Sequence, residues 1–456
     1  MTNTVRGNPD DFSGFWQGPH PADPTKKFYI QITLHDSISG ARGFWTKNSF
    51  YQSEFTVENL TITDDSIRFY VPNWECNYLG RLGETMQITG GFDCPDASFD
   101  PVTLTWNMEI ARYLTQPKPS YSSETYDYVY TQPLQLSDHL PTAHYTVPGD
   151  SLFIYTLIQE ILRGDYGRIN SFLLLKDDRL ISEEYFYGYT RDDLHQIESA
   201  TKSITSLLMG IALDQGAITS LQEPLCHIFP EYPHLNTDSY RTMTLAHLLA
   251  MSSGYSTEND ITYQSAHRIH TAITRELASA PGTAFTYDGG NTEILSAVLQ
   301  RKTGMFADTF GEKYLFSPLH ITSYDWDVLK QDGYPCMGGS LRLRPRDMMK
   351  IGWLVLNSGK LYGRRIVSEQ WIEESTAVHT TTHIEGDNYG YHWWNITLPS
   401  GGSAYETMWA NGLGSQFIYI IPELHLVIVT TGWNYESDSW AITRGISKHL
   451  YLLAGD

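Results

Sequence analysis

The segment from Ser199 to Gly216 constrains the fold of this chain more than any other stretch. Ile204, Leu207 and Ile211 recur there at spacings of three and four residues, which gathers apolar side chains onto one face of a helix. Gly216 supplies a common stop signal for such a helix. The pattern therefore predicts a buried helix that begins at Ser199, with the serine at the positive end of the helix dipole.

Lys202 lies three residues after Ser199, so the two side chains share one helical face and the ammonium nitrogen can reach the hydroxyl oxygen. A serine hydroxyl becomes a good nucleophile when a neighbouring base takes its proton, and a lysine that burial keeps neutral can be that base. The alternative is an N-cap serine followed by a surface lysine, because Ser-x-x-Lys often arises by chance. The apolar residues after Lys202 favour catalysis, since buried lysines are rare unless paired or functional.

Composition and charge narrow the class of protein. The chain has 456 residues, of which 41% are hydrophobic and 18% are charged, as expected of a packed globular protein. Its formal net charge of −21, from 31 basic and 52 acidic residues, argues against nucleic acid or an anionic membrane as a partner. No apolar run reaches membrane-spanning length, and Met1–Gly7 lacks the apolar core of a secretory signal. A cytoplasmic location is therefore predicted.

Neither the cysteines nor the histidines predict a disulfide scaffold or a metal site. The cysteines are Cys76, Cys94, Cys226 and Cys336. They are scattered without a Cys-x-x-Cys pair, so we predict reduced thiols and leave a Cys76–Cys94 bridge as the open alternative. The histidine pairs at metal-ligand spacing are His267 with His270, and His379 with His383. Neither pair has a third ligand in its pattern, so no metal is predicted.

Residues 1–140 are predicted to form an all-β accessory domain followed by a linker. Aromatic and β-branched residues alternate here, as in Phe28–Leu34, with frequent turn signals between the runs. Asn59–Thr63 and Ile67–Val71 flank a short polar turn, which is typical of a β-hairpin. The opening Ser13–Gly18 resembles the first strand of lipocalin-like domains found beside hydrolases.

Residues 145–456 are predicted to form a second, larger domain with helices and strands. Its predicted helices are 152–162, 199–216, 243–251, 266–280, 292–303, 346–357 and 439–453. Its predicted strands are 169–175, 179–186, 416–421 and 426–431. The middle of this domain is therefore expected to be rich in helices, and its end to return to β structure.

Two loops carry further chemical candidates. Tyr287 lies in a Gly-rich loop before a predicted helix, where a tyrosine beside a lysine can act as a general base or proton relay. A packing role is the alternative for this ring. Gly412 and Gly414 lead into a predicted strand and allow close backbone approach, so this strand edge could offer an N–H to an oxyanion. A simple β-bulge is the alternative there.

Several motifs occur in an order that resembles the β-lactamase-related serine hydrolases. These motifs are Ser199-Ala200-Thr201-Lys202, Leu248–Gly254, Tyr287, Gly338–Asp347 and Gly412–Gln416. That family includes class C β-lactamases, D-alanyl-D-alanine carboxypeptidases, family VIII esterases and 6-aminohexanoate-oligomer hydrolases. The resemblance covers residues 150–456. It implies an α/β, transpeptidase-like catalytic domain, in which an antiparallel sheet is flanked by helices beside an α-rich subdomain.

The resemblance also implies roles for individual residues. Ser199 is the nucleophile, Lys202 and Tyr287 share its proton, and the backbone N–H groups of Ser199 and Ser415 form the oxyanion hole. The implied substrate-binding residues are Tyr255, Asn291, Trp409, Gly412, Leu413 and Gly414. Trp326, Trp393, Trp394 and Trp433 lie near the same motifs, which suggests an aromatic, apolar pocket.

Two departures from the family pattern point away from a true β-lactamase. The Tyr-x-Asn motif reads Tyr287-Asp288-Gly289, so its asparagine is missing unless Asn291 replaces it. The Lys-Thr-Gly motif reads Gly412-Leu413-Gly414, so the cation that holds a β-lactam carboxylate is absent. Both departures favour the esterase and amide-hydrolase branches of the family.

The expected function is therefore hydrolysis of a small ester or amide through an acyl-enzyme at Ser199, without a cofactor. One alternative is an acyltransferase that uses the same acyl-serine intermediate. Another is a catalytically silent binding module that has kept the fold. The N-terminal domain carries none of the candidate catalytic residues, and we expect it to cover the pocket mouth or to mediate a homodimer.

Overall fold

The structure is a computed structural model that forms two compact units. It describes residues 14–20, 23–35, 38–47, 53–63, 65–71, 75–83, 87–95, 97–98, 101–106, 128–257, 265, 267–326, 333–383, 387–435 and 437–454. The first unit comprises Met1–Thr125 with Tyr187–Tyr189, and the second comprises Tyr126–Phe186 with Thr190–Asp456.

The first unit is a closed antiparallel sheet. Its strands are β1 Gly14–His20, β2 Asp23–His35, β3 Ile38–Lys47, β4 Ser53–Thr63, β5 Ser66–Val71, β6 Cys76–Leu82, β7 Gln87–Cys94, β8 Ala97–Ser98 and β9 Val102–Trp106. Each of β1 to β7 pairs with the next strand along the chain, and β9 lies between β7 and β1 and closes the ring. The all-β prediction is confirmed, including the hairpin in which Thr63 lies opposite Ser66. The sequence pattern also predicts strands at 84–89 and 102–110, of which residues 84–86 and 107–110 lie outside the described residues.

Alternation places large side chains inside this closed sheet. In β5, every second residue is buried, as the pattern of a strand with one core face requires. The buried apolar side chains of this unit include Trp16, Ile67, Phe69, Val71, Tyr78, Ile88, Phe92, Val102 and Leu104. The Phe69 and Tyr78 rings stack with their centroids 4.7 Å apart.

A disulfide joins Cys76 and Cys94, so the prediction of reduced thiols is wrong for this pair. The pairing of β6 with β7 places Asn77 opposite Asp93, which brings the neighbouring cysteines together with their Cα atoms 4.3 Å apart. Sequence spacing alone does not reveal this register. Cys226 and Cys336 carry free thiols, as predicted.

The main sheet of the second unit is antiparallel and mixes strands from both ends of the unit. Its strands are β10 Ile169–Lys176, β11 Arg179–Tyr185, β17 Thr380–Thr381, β18 Asp387–Tyr389, β19 Trp394–Ser400, β20 Ser403–Gly412, β21 Gln416–Ile421 and β22 Leu426–Gly432. The order across the sheet is β11-β10-β22-β21-β20-β19-β18-β17. Two small sheets contain β12 His195–Gln196, β13 Tyr324–Trp326, β14 Leu341–Leu343, β15 Lys360–Leu361 and β16 Arg364–Arg365. The predicted pairing of β21 with β22 is confirmed.

Helices cover this sheet and form the region between β12 and β17. They are α1 Pro148–Arg163, α2 Thr201–Asp214, α3 Leu225–Ile228, α4 Leu245–Leu249, α5 Arg268–Ile273, α6 Gly289–Thr303, α7 Ala307–Gly311, α8 Pro345–Leu356, α9 Glu369–Thr376 and α10 Ala441–His449. Shorter turns are the 3₁₀ helices Glu198–Ala200, Pro233–Asn236, Pro422–Leu424 and Leu450–Leu453, and the π-helical turn Glu312–Phe316. None of the helices in the described ranges is long and apolar enough to cross a membrane.

Two predicted helices are shorter than their sequence patterns suggest. The helix predicted at 266–280 is confined to α5, because the backbone after it bonds to another segment: Ala278 N–H donates to Gly254 O over 2.8 Å. The helix predicted at 243–251 is confined to α4. The predicted C-terminal helix consists of α10 followed by a 3₁₀ turn.

Helix α2 runs through the core of the second unit. Its first twelve residues, Thr201 to Ala212, are all buried. Gly210 permits close packing, because a Cβ at this position would lie 2.1 Å from the Trp371 indole. The helix that the apolar periodicity predicts is therefore present, and burial on all sides fixes the direction in which its N-terminal residues point.

Candidate active site

Ser199 lies in the 3₁₀ turn that leads into α2, and not in the α-helix itself. Its side chain is partly exposed, whereas Ala200 after it is buried. The residue before it, Glu198, has a φ of +49°. This is a left-handed backbone conformation that is unusual for a residue other than glycine. This sharp change in chain direction presents the hydroxyl at the start of a fully packed helix.

Lys202 is 3% exposed, and its side-chain nitrogen contacts Ser199. Its Nζ donates a hydrogen bond to Ser199 Oγ over 3.1 Å and another to Gly338 O over 2.6 Å. Both acceptors are uncharged oxygens. The carbonyl of the Gly338 segment therefore holds the amine in contact with the serine hydroxyl.

Tyr287 approaches this pair from a separate loop. Lys202 Nζ lies 5.0 Å from the centroid of the Tyr287 ring. The ring packs against Trp394 at 5.4 Å and Tyr389 at 6.1 Å between centroids. The structure thus brings together Ser199, Lys202 and Tyr287, the three residues that the sequence singles out.

Asp288, next to Tyr287, has a structural role that the sequence analysis missed. Its fully buried carboxylate accepts two hydrogen bonds of 2.7 Å from the Arg275 guanidinium. It also caps α6, because its oxygens accept the backbone N–H groups of Gly290 and Asn291. An Asp followed by glycines at the start of a helix is a signal for such a cap. The carboxylate therefore faces the protein interior and fixes the loop that carries Tyr287.

Three predicted substrate-binding side chains lie in the protein interior. The Asn291 amide is fully buried, and its oxygen accepts a hydrogen bond from Ser253 Oγ over 2.7 Å. Tyr255 is 1% exposed and donates its hydroxyl to Ile273 O. Trp409 is fully buried and stacks on Tyr419. These contacts place all three in the packed core and not on the wall of an open pocket.

The predicted aromatic pocket is likewise mostly core. Trp326, Trp393 and Trp394 are buried, and among the tryptophans named for this pocket only Trp433 is partly exposed. Sequence motifs place these rings near the site, but they do not show which way each ring points.

The hairpin between β20 and β21 brings backbone close to the serine. Gly412 lies opposite Gln416 in this hairpin, and a Cβ on Gly412 would lie 2.2 Å from Ile197 O. A side chain at this position is therefore excluded by the segment that precedes Ser199. Leu413, the next residue, is 55% exposed.

Ser415 is fully buried and ends the turn of this hairpin with a φ of +72°. Its hydroxyl donates to Ser439 O over 2.8 Å and accepts from Asn434 Nδ2 over 3.0 Å. Asn434 and Ser439 therefore hold the turn in an uncommon backbone conformation, as is frequent at functional sites.

Glu198 is a second acidic residue at the site, and no sequence motif singled it out. Its Oε1 accepts hydrogen bonds from Gln196 Nε2 over 2.9 Å and from the Tyr435 hydroxyl over 3.2 Å. Burial raises the pKa of Glu198 to about 7, against the opposing effects of the Tyr435 hydrogen bond and the Lys202 charge. The carboxyl group therefore changes protonation state close to neutral pH.

His392 is a buried histidine whose pKa is affected by the charge of Lys202 at this site. It is 1% exposed, and its carbonyl accepts the hydroxyl of Ser203, the residue after Lys202, over 2.7 Å. Burial, and then the charge of Lys202, lower its pKa to about 3. The imidazole is therefore neutral across the range in which the protein would work.

Both histidines of the pair His379 and His383 make other contacts. His379 stacks on Tyr391 with the ring centroids 3.7 Å apart, and His383 Nε2 lies 3.1 Å from Phe285 O. Across the part of the chain that the structure describes, no group of three or more His, Cys, Asp or Glu side chains is arranged to hold a metal ion.

A sequence model of the family described as Beta-lactamase matches residues 167–436, more than half of the chain. The chain belongs to the beta-lactamase family. This is a family of serine hydrolases, and the match includes Ser199, Lys202, Tyr287 and the turn from Gly412 to Ser415. The resemblance seen in the sequence motifs is thereby confirmed.

The chain is also similar to individual proteins and solved structures. The 6-aminohexanoate-dimer hydrolase of Paenarthrobacter ureafaciens is 23% identical over 292 residues, which cover 57% of this chain and 71% of that protein. A family VIII carboxylesterase has a TM-score of 0.55 at 16% identity and covers 68% of this chain and 99% of its own. EstCE1, a hydrolase with promiscuous acyltransferase activity, has a TM-score of 0.54 at 15% identity, with 67% and 99% covered. The two structures show the shared fold.

Proposed function

We propose that this protein hydrolyses a small ester or amide through an acyl-enzyme formed at Ser199. The observation that carries the proposal is the 3.1 Å hydrogen bond from buried Lys202 Nζ to Ser199 Oγ. A nucleophile in contact with a base that a third group orients is the general signature of covalent catalysis. Here the Gly338 carbonyl is the orienting group.

The reaction begins when Ser199 Oγ attacks the substrate carbonyl carbon. Its proton passes to the Lys202 and Tyr287 pair, and the carbonyl oxygen becomes an oxyanion. The backbone N–H groups of Ser199 and of the turn that ends at Ser415 stabilise this oxyanion, at about 3 kcal/mol per donor. The pair then protonates the leaving alcohol or amine as the carbon–oxygen or carbon–nitrogen bond breaks.

Water completes the cycle. It attacks the acyl-serine ester, gives its proton to the same pair and releases the carboxylic acid, while Ser199 regains its proton. All protons and bonds of the two steps are accounted for without a cofactor.

The turn next to the serine supports an ester or amide over a β-lactam. Gly412, Leu413 and Gly414 occupy the position of the family's Lys-Thr-Gly, so the cation that would bind a β-lactam carboxylate is replaced by the exposed, apolar Leu413 side chain. The proteins named as a 6-aminohexanoate-dimer hydrolase and a family VIII carboxylesterase support this substrate class.

Intact-mass spectrometry tests the proposal. The protein is incubated with p-nitrophenyl butyrate or a fluorophosphonate, and we expect a mass increase equal to one acyl or phosphonyl group. Ser199→Ala should gain no mass, because the change removes the nucleophilic oxygen alone. Ser403→Ala, on an exposed serine at the start of β20, is the control and should be modified normally. Equal modification of Ser199→Ala would place the nucleophile elsewhere, and absence of modification in the wild type would favour a silent binding module.

Transfer of the acyl group to an alcohol or amine is the second candidate function. The likeness to EstCE1, named as a hydrolase with promiscuous acyltransferase activity, favours it as a side reaction of the same intermediate. Product analysis with and without added butanol distinguishes the two: hydrolysis gives butyrate in both cases, whereas transfer gives butyl butyrate.

A further inference from the structure

We propose that the hydrogen bond from Tyr435 to Glu198 fixes the distance between the nucleophile and the turn at Leu413–Ser415. Glu198 and Tyr435 would then be positioning residues for the acylation of Ser199. The inference rests on the function proposed above. It concerns how the backbone at Ser199 and the turn at Leu413–Ser415, the two sides of the proposed oxyanion hole, are held at a fixed distance.

The first side is the backbone around Ser199. Glu198, directly before it, adopts a left-handed conformation with φ of +49° that a non-glycine residue holds only when its surroundings impose it. The Glu198 side chain is tied at Oε1 by Gln196 and by Tyr435. Because Glu198 and Ser199 share a peptide bond, movement of this side chain would rotate the N–H of Ser199.

The second side is the hairpin turn between β20 and β21. The Tyr435 ring packs against this turn, since a Cβ on Gly414 would lie 3.0 Å from Tyr435 Cζ. Asn434, next to Tyr435, donates its side chain to Ser415 Oγ over 3.0 Å. Ser439 receives the Ser415 hydroxyl at its carbonyl. Asn434 and Ser439 therefore hold the turn, and Tyr435 between them bonds to the residue before the nucleophile.

These contacts make the Tyr435 hydroxyl a direct link between the two sides. Glu198 and Tyr435 are 237 residues apart in sequence, so no local backbone geometry imposes their distance. Small displacements of an oxyanion donor lower the rate more than they weaken substrate binding, because the donor acts on charge that develops in the transition state. The link should therefore act on the acylation rate constant and leave ground-state binding largely unchanged.

The charged and titratable groups that face Glu198 are few. Lys202 on α2 and Arg342 on β14 both act on it electrostatically, and Tyr435 acts through its hydroxyl. Gln196 is neutral. Glu198→Gln keeps an oxygen that accepts the Tyr435 hydrogen bond, whereas Glu198→Ala removes the acceptor, so the pair of variants distinguishes the hydrogen bond from the charge.

The test measures single-turnover acylation by p-nitrophenyl butyrate in the full-length protein. The variants are Tyr435→Phe, Glu198→Ala, Glu198→Gln and the double variant Tyr435→Phe with Glu198→Ala. We expect Tyr435→Phe and Glu198→Ala to lower the acylation rate constant by about tenfold or more, with KM changed by less than about twofold. The double variant should be about as slow as either single variant, because both remove one and the same bond. Glu198→Gln should retain much of the wild-type rate.

Tyr451→Phe is the control, since it removes a hydroxyl from an exposed tyrosine at the end of the chain and should leave the rate unchanged. Thermal unfolding of each variant shows whether it is folded, and Tyr435→Phe alone still decides the question if the Glu198 variants unfold. A wild-type rate in Tyr435→Phe, losses that multiply in the double variant, or an effect on KM alone would each overturn the proposal. Failure of the wild type to become acylated at all would instead reject the proposed function.

Discussion

Arg275 and Asp288 form a two-pronged ion pair in which both side chains are 1% exposed, and Tyr287 is the residue next to this pair. The Arg275 guanidinium also lies against the Tyr255 ring, 4.8 Å from its centroid. Tyr255, Arg275 and Asp288 therefore form one buried cluster next to the loop that carries Tyr287. Gly290 completes it, because a Cβ there would lie 2.3 Å from the guanidinium.

Removal of one partner of this buried pair should destabilise the second unit strongly. We expect Arg275→Ala to lower the free energy of unfolding by about 3–5 kcal/mol, since it leaves the Asp288 carboxylate buried without its cation. Denaturant unfolding followed by circular dichroism measures the change. Arg365→Ala is the matched control, because Arg365 pairs with Glu369 on the surface and such pairs contribute at most about 1 kcal/mol. Similar losses in both variants would show that the buried pair has no special role.

Lys202→Arg should be nearly as inactive as Lys202→Ala if Lys202 accepts the serine proton. Arginine keeps the positive charge but does not release its proton near neutral pH. Loss of a general base typically lowers the rate by about 10²–10⁴-fold, and acylation kinetics with an activated ester measure it. Tyr287→Phe should also be slow, because the ring stays packed while the hydroxyl is lost. An acylation rate close to wild type in Lys202→Arg would show that Lys202 acts only through its positive charge, and would leave Tyr287 as the base.

Gly412→Ala should disturb the site through the backbone. The added Cβ would lie 2.2 Å from Ile197 O, so either the end of β20 or the segment before Ser199 must move. We expect a stability loss of about 1–3 kcal/mol together with slower acylation. Gly91→Ala is the control, because a Cβ there meets nothing within 4 Å. Normal acylation by Gly412→Ala would show that this close approach does not set the geometry of the nucleophile.

The stability of the protein should fall as pH rises through the titration of Glu198. Burial raises its pKa from 4.5 to about 7, so between these values the folded state binds a proton that the unfolded state has lost. The contribution of this group is fully present below pH 4.5 and is lost as pH rises through about 7. Glu198→Gln cannot ionise and should lack this loss, which is worth roughly 3 kcal/mol at most.

Thermal unfolding of the wild type and Glu198→Gln at pH 5 and pH 8 checks this expectation. The variant should gain stability relative to wild type on going to the higher pH. Glu373→Gln, at an exposed position of α9, should show no such relative gain. A constant difference between wild type and Glu198→Gln at the two pH values would contradict it.

Periodicity predicted much of this fold because each pattern reports on one local face. The apolar spacing after Lys202 identified α2, and alternation identified the hairpin of β4 and β5. The family motifs named Ser199, Lys202 and Tyr287, and the structure places them together.

What the sequence missed depends on contacts between distant residues. The Cys76–Cys94 disulfide follows from strand register, and the bond from Tyr435 to Glu198 joins residues of the second unit that are 237 positions apart in sequence. Tyr255 and Trp409 were expected at a pocket because the family resemblance implies a substrate-binding role for them. Aromatic residues, however, suit both pockets and protein cores. Only packing decides between the two, and here the rings are buried.

The pairing of β10 with β22 has a consequence for biosynthesis. Ser171 lies opposite Thr431, and their hydroxyls bond over 2.7 Å at a separation of 260 residues. During translation the hairpin of β10 and β11 leaves the ribosome long before β22 exists, so one edge of β10 waits unpaired. The Ser199 segment is made in the same interval. The nascent chain can therefore complete its main sheet only when β22 pairs with β10. This late pairing favours slow folding and an early need for protection by chaperones.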